Sequence, residues 1–224
     1  WKHLVYFPDV GSNVEIVADL IHKLTGKSFN PKERNVIKDR EIRNSLDWIF
    51  QHFHILTKKD VKAKMTPFQF YDYAVELKQK GLIETASIDS WKDLSHPYQE
   101  YGGYAQYLEV VLPYRNQIAE DNELHLHTII HPKLTEKING KRSVPSPYDL
   151  KGGSEWFNSG KCMITVHRED LNSNQVIINF NKIKPRSAGQ IGQLIMWFDK
   201  EKFLYYEQEN PAPNVYNKIY AKEK

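Results

Sequence analysis

HLVYFPDVGSNVEIVADLIHKLTG (3–26) decides the fold, because its hydrophobic period changes halfway along. HLVYFP (3–8) is a short apolar run of strand length, and DVGSN then breaks it. Ser12 or Asn13 can cap a helix whose apolar positions Val14, Ile16, Val17, Leu20, Ile21 and Leu24 recur at helical spacing, with Gly26 placed to close it. The stretch reads as β then α. The same alternation continues downstream: a helix near 39–51 with Ile42, Leu46, Ile49 and Phe50 on one face, a strand at FHIL (53–56), a helix over 66–80 ended by Gly81, and a strand at IETASID (83–89). After Gly102 and Gly103 comes the amphipathic run YAQYLEVVLPYRNQIAEDN (104–122), then a strand candidate, ELHLHTIIHP (123–132). Repeated βα units of this length predict a mostly parallel sheet flanked by helices. IETASID is thin in apolar residues for a strand buried on both faces. The last third differs: KCMITVHR (161–168), NQVIINFNKI (174–183) and IGQLIMWFD (191–199) read as consecutive strands, so antiparallel hairpins are expected to extend the sheet.

Composition sets the outer bounds. The chain has 224 residues, 40% of them hydrophobic and 26% charged, which suits one α/β domain over 1–209 followed by a proline-bearing tail at 210–224. No apolar run approaches the ~18–20 residues that span a bilayer, and the start carries no signal-peptide pattern, so a soluble, cytoplasmic protein without a membrane partner is expected. The chain enters a strand almost directly after Trp1, which leads us to expect an upstream segment. The single cysteine, Cys162, permits neither an internal disulfide nor a multi-thiolate metal site, and a buried, inert thiol is expected there. A formal charge of +3 is compatible with a nucleic-acid partner without requiring one. The scattered tyrosines and tryptophans suit core and rim packing better than base-stacking platforms.

Three local patterns carry chemistry. TGKS (25–28) ends like a phosphate-binding loop, G-x-x-x-x-G-K-[ST], but position 21 is Ile21 and the preceding segment is helical, so Gly26 reads as a helix cap. KPRSAGQIG (184–192) places Lys184 and Arg186 two residues apart, which on a strand puts both cations on one face. It suits either an exposed basic turn or a reach toward phosphate oxygens. His125, His127 and His131 share strand parity, but no cluster of carboxylates or thiols completes a metal site around them.

KPRSAGQIG resembles the K-x-R-x-x-G-x-x-G element of the hexameric replicative helicases of the DnaB, Twinkle and phage primase-helicase group. Further segments match in the same order. LVYFPDV (4–10) is similar to the second core strand of that family, usually ending in F-S-x-E, with Asp9 in the place of the acidic residue. IDSW (88–91) is similar to the strand end commonly written I-D-P-W in the phage-like branch, and TIIHPKL (128–134) to the strand that carries a γ-phosphate sensor. VPSPYDLKGGSEWFNSGKCMITVHR (144–168) resembles the P-x-x-Y-D-x-x-G-S-x-x-[WF] segment and the strand after it.

The resemblance runs from about residue 4 to 206 and implies a RecA-like ATPase core that works as a homohexamer on single-stranded DNA, with a primase domain or primase partner in some members. It implies ATP or another nucleoside triphosphate with Mg²⁺, hydrolysed between adjacent subunits. Asp9 then prepares the attacking water, Asp89 is the metal-linked carboxylate, His131 senses the γ-phosphate, and Lys184 and Arg186 reach the neighbour's nucleotide. Lys133, Lys137, Lys141 and Arg142, in KLTEKINGKRSVPSP (133–147), fall where the family places a DNA-tracking loop, and flexible cations there suit backbone contacts. The chain departs from the pattern at Asp9, one methylene shorter than glutamate, at Ser90 for proline, at Lys161 where aspartate is common, and in lacking a phosphate loop. As written it is not expected to hydrolyse ATP efficiently. The alternative is a non-catalytic RecA-like nucleic-acid-binding or scaffold subunit.

Overall fold

A computed structural model describes residues 1–33, 35–133, 137–138, 141–170, 172–200, 204–207 and 209; the tail expected at 210–224 lies outside them. The chain divides into two units: Trp1–Glu15, Ile49–Leu134 and Ser146–Lys161 form the first, and Ile16–Trp48, Thr135–Pro145 and Cys162–Lys224 the second.

The first unit is built on a parallel sheet of β1 (His3–Phe7), β2 (Phe53–Thr57), β3 (Thr85–Ile88) and β4 (His125–Thr128), in the order β2-β1-β3-β4. Register sorts the side chains by face. Leu4, Tyr6, Ala86 and Ile88 point one way and are all 0–1% exposed. This face meets helices α3 (Pro67–Gln79) and α4 (Tyr104–Asp121): Tyr6 stacks on Phe70 at 5.8 Å, and Tyr71, Tyr107, Leu108 and Val111 fill the core with them. Aromatic residues are thus packing groups here, as expected. The opposite face carries His3, Thr85, Ser87, His125 and His127, and this explains how β3 is buried despite its thin apolar content. Its hydroxyls are paired across strands, Thr85 Oγ1 with His3 Nδ1 at 2.6 Å and the half-exposed Ser87 Oγ with His127 Nδ1 at 3.1 Å, so the cost of burying Thr85 is met by a hydrogen bond.

Local signals place the helices. Thr66 caps α3 with a reciprocal box, accepting from the Gln69 N–H at 3.3 Å while Gln69 Oε1 accepts from the Thr66 N–H at 2.9 Å. A short helix absent from the sequence reading, α5 (Gly153–Ser159), packs on α4 and buries Trp156 edge-on against Trp91 at 4.9 Å. Helix α1 (Asn13–Thr25) runs from the first unit into the second and ends at Gly26, whose φ of 64° and N–H bond to the His22 carbonyl (2.8 Å) make it the expected cap.

In the second unit, helix α2 (Asp39–His52) begins beside an ion pair between Lys27 and Glu41 (2.5 Å), and Ser28 bridges Val36. β5 (Lys137–Ile138) and β6 (Lys141–Arg142) form a two-stranded hairpin inside the segment read as a loop. The C-terminal strands β7 (Cys162–His167), β8 (Gln175–Ile183), β9 (Gly192–Asp199) and β10 (Leu204–Tyr206) are antiparallel as expected, in the order β10-β9-β8-β7. Among the described residues they form a sheet of their own and do not pair with the parallel one. Cys162 is exposed, contrary to expectation, because it opens strand β7 at the edge of that sheet.

Candidate active site

All four strands of the first sheet run the same way, so their carboxyl ends lie along one edge, the edge where open α/β sheets bind ligands. Asp9 follows β1, Asp89 directly follows β3, and His131 follows β4. These strands are consecutive neighbours in the sheet, spaced by about 4.8 Å. The structure therefore brings together three of the residues singled out from the sequence. Their proximity registers on Asp89: burial raises its carboxyl above the usual range, the positive influence of His131 opposes this, and the negative charges of Asp9 and Asp93 push it higher still.

Backbone bonds fix this edge. The Asp89 N–H donates to the Tyr6 carbonyl at 3.0 Å, the Ile129 N–H to the Ile88 carbonyl at 2.9 Å, and the Trp91 N–H to the Ile129 carbonyl at 2.9 Å. The loop after Asp89 is thereby tied to both flanking strands. Ser90, where proline is common in the resembled family, donates its hydroxyl to Asp93. His96 Nε2 lies 2.6 Å from the Trp91 carbonyl and Nδ1 lies 3.3 Å from the Tyr107 hydroxyl. A carbonyl only accepts, so the proton sits on Nε2. Burial lowers the pKa of His96, favouring that neutral ring. Asp93 and His96 escaped the sequence reading; the spacing D-S-W-K-D (89–93) was the signal for the first, and nothing local marked the second.

Among the described residues no group of three or more His, Cys, Asp or Glu side chains is placed to hold a metal alone. His125 and His127 tilt against each other at 4.5 Å while His127 engages Ser87, and β4 ends at Thr128, so His131 does not continue their strand face. A Mg²⁺ ion asks less of a protein, one or two carboxylates with the remaining positions taken by water and phosphate, and Asp89 beside Asp9 fits that donor set.

Lys184 and Arg186 belong to the second unit, and both are exposed. They do not share a strand face as the spacing suggested: β8 stops at Ile183, Pro185 lacks an N–H for the ladder, and Arg186–Ala188 forms a single 3-10 turn. Lys133 is exposed, and its N–H donates to the Asp149 carbonyl at 2.9 Å. Arg142 offers its carbonyl to His167 Nε2 at 3.1 Å. The side chains of Lys137 and Lys141 lie outside the described residues. No described helix is long and apolar enough to cross a membrane.

No protein-family model matches the sequence, and no curated protein matches it. Solved structures do. One, described as an ATPase domain, is similar with a TM-score of 0.68 at 14% identity, over 93% of this chain and 75% of that one. A DnaB-like replicative helicase, described with its interactions with primase, gives 0.66 at 15% identity over 91% of this chain; the chain spans 50% of the length of that protein. The RadB recombinase gives 0.51 at 11% identity, over 90% of this chain and 77% of that one. At such identities the likeness is one of fold, and that fold, a parallel sheet flanked by helices with antiparallel strands toward the C-terminus, is RecA-like.

Proposed function

We propose that the chain is the core of an ATP-dependent replicative DNA helicase that couples nucleoside triphosphate hydrolysis at subunit interfaces to movement along single-stranded DNA. The observation that carries this reading is the meeting of Asp9, Asp89 and His131 at the carboxyl ends of adjacent parallel strands. Each has a role that its chemistry suits. Asp89, whose N–H is fixed by the Tyr6 carbonyl, would hold Mg²⁺, and the ion would supply charge neutralisation for a nucleotide's phosphates. Asp9, exposed at the same edge, orients a water and accepts its proton. His131 reports on the terminal phosphate by hydrogen bonding. Lys184 and Arg186, exposed on a proline-fixed turn, serve the nucleotide of the neighbouring protomer, the guanidinium making two-pronged contacts to oxygen. Lys133, Lys137, Lys141 and Arg142 contact the DNA backbone, in a homohexamer that also engages a primase domain or partner.

A second reading has its own support. The one G-K-S triplet of the chain closes helix α1 and does not cradle phosphate, which favours a non-catalytic RecA-like scaffold or nucleic-acid-binding subunit. DNA-stimulated ATP hydrolysis by the longest natural chain separates the two. The helicase reading expects turnover that Arg186→Ala lowers by about 10³–10⁵-fold with the fold intact. A chain without turnover under any nucleotide sinks the enzyme and leaves the scaffold.

A further inference from the structure

The loop joining β2 to α3, TKKDVKAKMT (57–66), exposes Lys58, Lys59, Lys62 and Lys64 to solvent. Its only acid is Asp60, whose Oδ2 is already engaged by the Thr57 N–H and hydroxyl, each at 2.7 Å. With four lysines and one aspartate the loop carries +3, equal to the formal charge of the entire chain. The rest of the chain, with 27 cations and 27 acids, balances to zero. The loop is also framed. The Lys58 N–H donates to the Val10 carbonyl at 2.9 Å, the Ser95 N–H donates to the Met65 carbonyl at 2.9 Å, and Thr66 caps α3 directly after it. Residues 60–65 and Gln69 enclose an open cleft of about 470 Å³ between these anchors.

We propose that this loop is a second contact for the phosphodiester backbone of single-stranded nucleic acid. The inference rests on the function proposed above. Lysine ammonium groups on flexible stems, with no aromatic ring or amide side chain among residues 58–65 to read a base, suit phosphates of any sequence. Position suits it too. β2 and β4 are the outer strands of the sheet, so the loop after β2 and Lys133 after β4 stand at opposite ends of one carboxyl edge, with Asp9 and Asp89 between them. The two anchors reach the segments just after those acids: Val10 adjoins Asp9, and Ser95 belongs to the loop that starts at Asp89.

The test measures binding of fluorescent oligothymidine by anisotropy across a salt series, comparing the unsubstituted protein with the quadruple variant K58A/K59A/K62A/K64A. All four side chains are exposed, so the fold should survive, and the Lys62→Glu/Lys64→Glu pair at mid-loop is the second variant if it does not. Each lost phosphate contact flattens the plot of log affinity against log salt by about 0.7 for single strands, so the quadruple variant should be shallower by roughly 2–3. Replacing all four by arginine should restore the slope. An unchanged slope and affinity, with binding lost only on substituting Lys133 and Arg142, overturns this inference and leaves the helicase reading standing. Failure of the unsubstituted protein to bind overturns both.

Discussion

Asp89 shows how one residue can oppose stability and still belong. Its carboxyl is raised by burial first and by Asp9 and Asp93 after that, with His131 alone opposing, so at neutral pH the folded chain keeps an ionised group in surroundings that disfavour it. A carboxyl whose folded pKa lies above its unfolded one costs stability above the folded value, and the cost fades as pH falls through that value toward the unfolded one. Asp89→Asn should therefore raise Tm at about pH 7, and its advantage over the unsubstituted protein should shrink as the pH is lowered to about 3. Thermal unfolding followed by circular dichroism at both pH values measures this. A lower Tm at neutral pH would mean that Asp89 is stabilised by a partner stronger than His131. A higher Tm for the Asn variant at neutral pH would fit the role proposed for Asp89 at the ligand edge of the parallel sheet.

Elements differ in how openly the sequence declares them. The T-P-F-Q signature at 66–69 announces α3, since its capping box joins residues three apart, and Gly26 and Gly81 announce helix ends through their positive φ. Removing the hydroxyl in Thr66→Ala should cost about 1 kcal/mol, within the ~0.5–2 kcal/mol typical of caps, and lower Tm by a few degrees, measurable by calorimetry. Other elements were hidden for physical reasons. Helix α5 has seven residues between glycines, too few for a helical period to emerge. β3 looked too polar because pairing of its hydroxyls with His3 and His127 is a matter of neighbouring strands, which a single sequence does not order. The Lys184–Arg186 pair was read as strand although Pro185 between them ends the ladder. The acidic cluster was half legible: Asp9, Asp89 and His131 stood at strand ends whose convergence follows from a parallel sheet, whereas Asp93 joins it through a loop conformation in which His96 holds the Trp91 carbonyl.

On the scale of the whole molecule, Asp9, Asp89 and His131 lie in the first unit and Lys184 and Arg186 in the second. In a ring built from repeated head-to-tail contacts, each protomer offers one surface to a neighbour and receives a different one, so a site shared across the contact takes its carboxylates from one chain and its arginine from the next. Complementation tests whether this chain is arranged in that way. In the longest natural chain, Asp89→Asn and Arg186→Ala should each abolish nearly all DNA-stimulated ATP hydrolysis. When the two variants are dissociated, mixed in equal amounts and reassembled, roughly a quarter of the contacts pair an intact Asp89 with an intact Arg186, and turnover should recover toward that fraction. Steady-state hydrolysis against mixing ratio, with a maximum near equal amounts, is the measurement. Additive residual rates at every ratio would place both residues in the same protomer's site, because chains that each lack one half of a private site cannot repair one another.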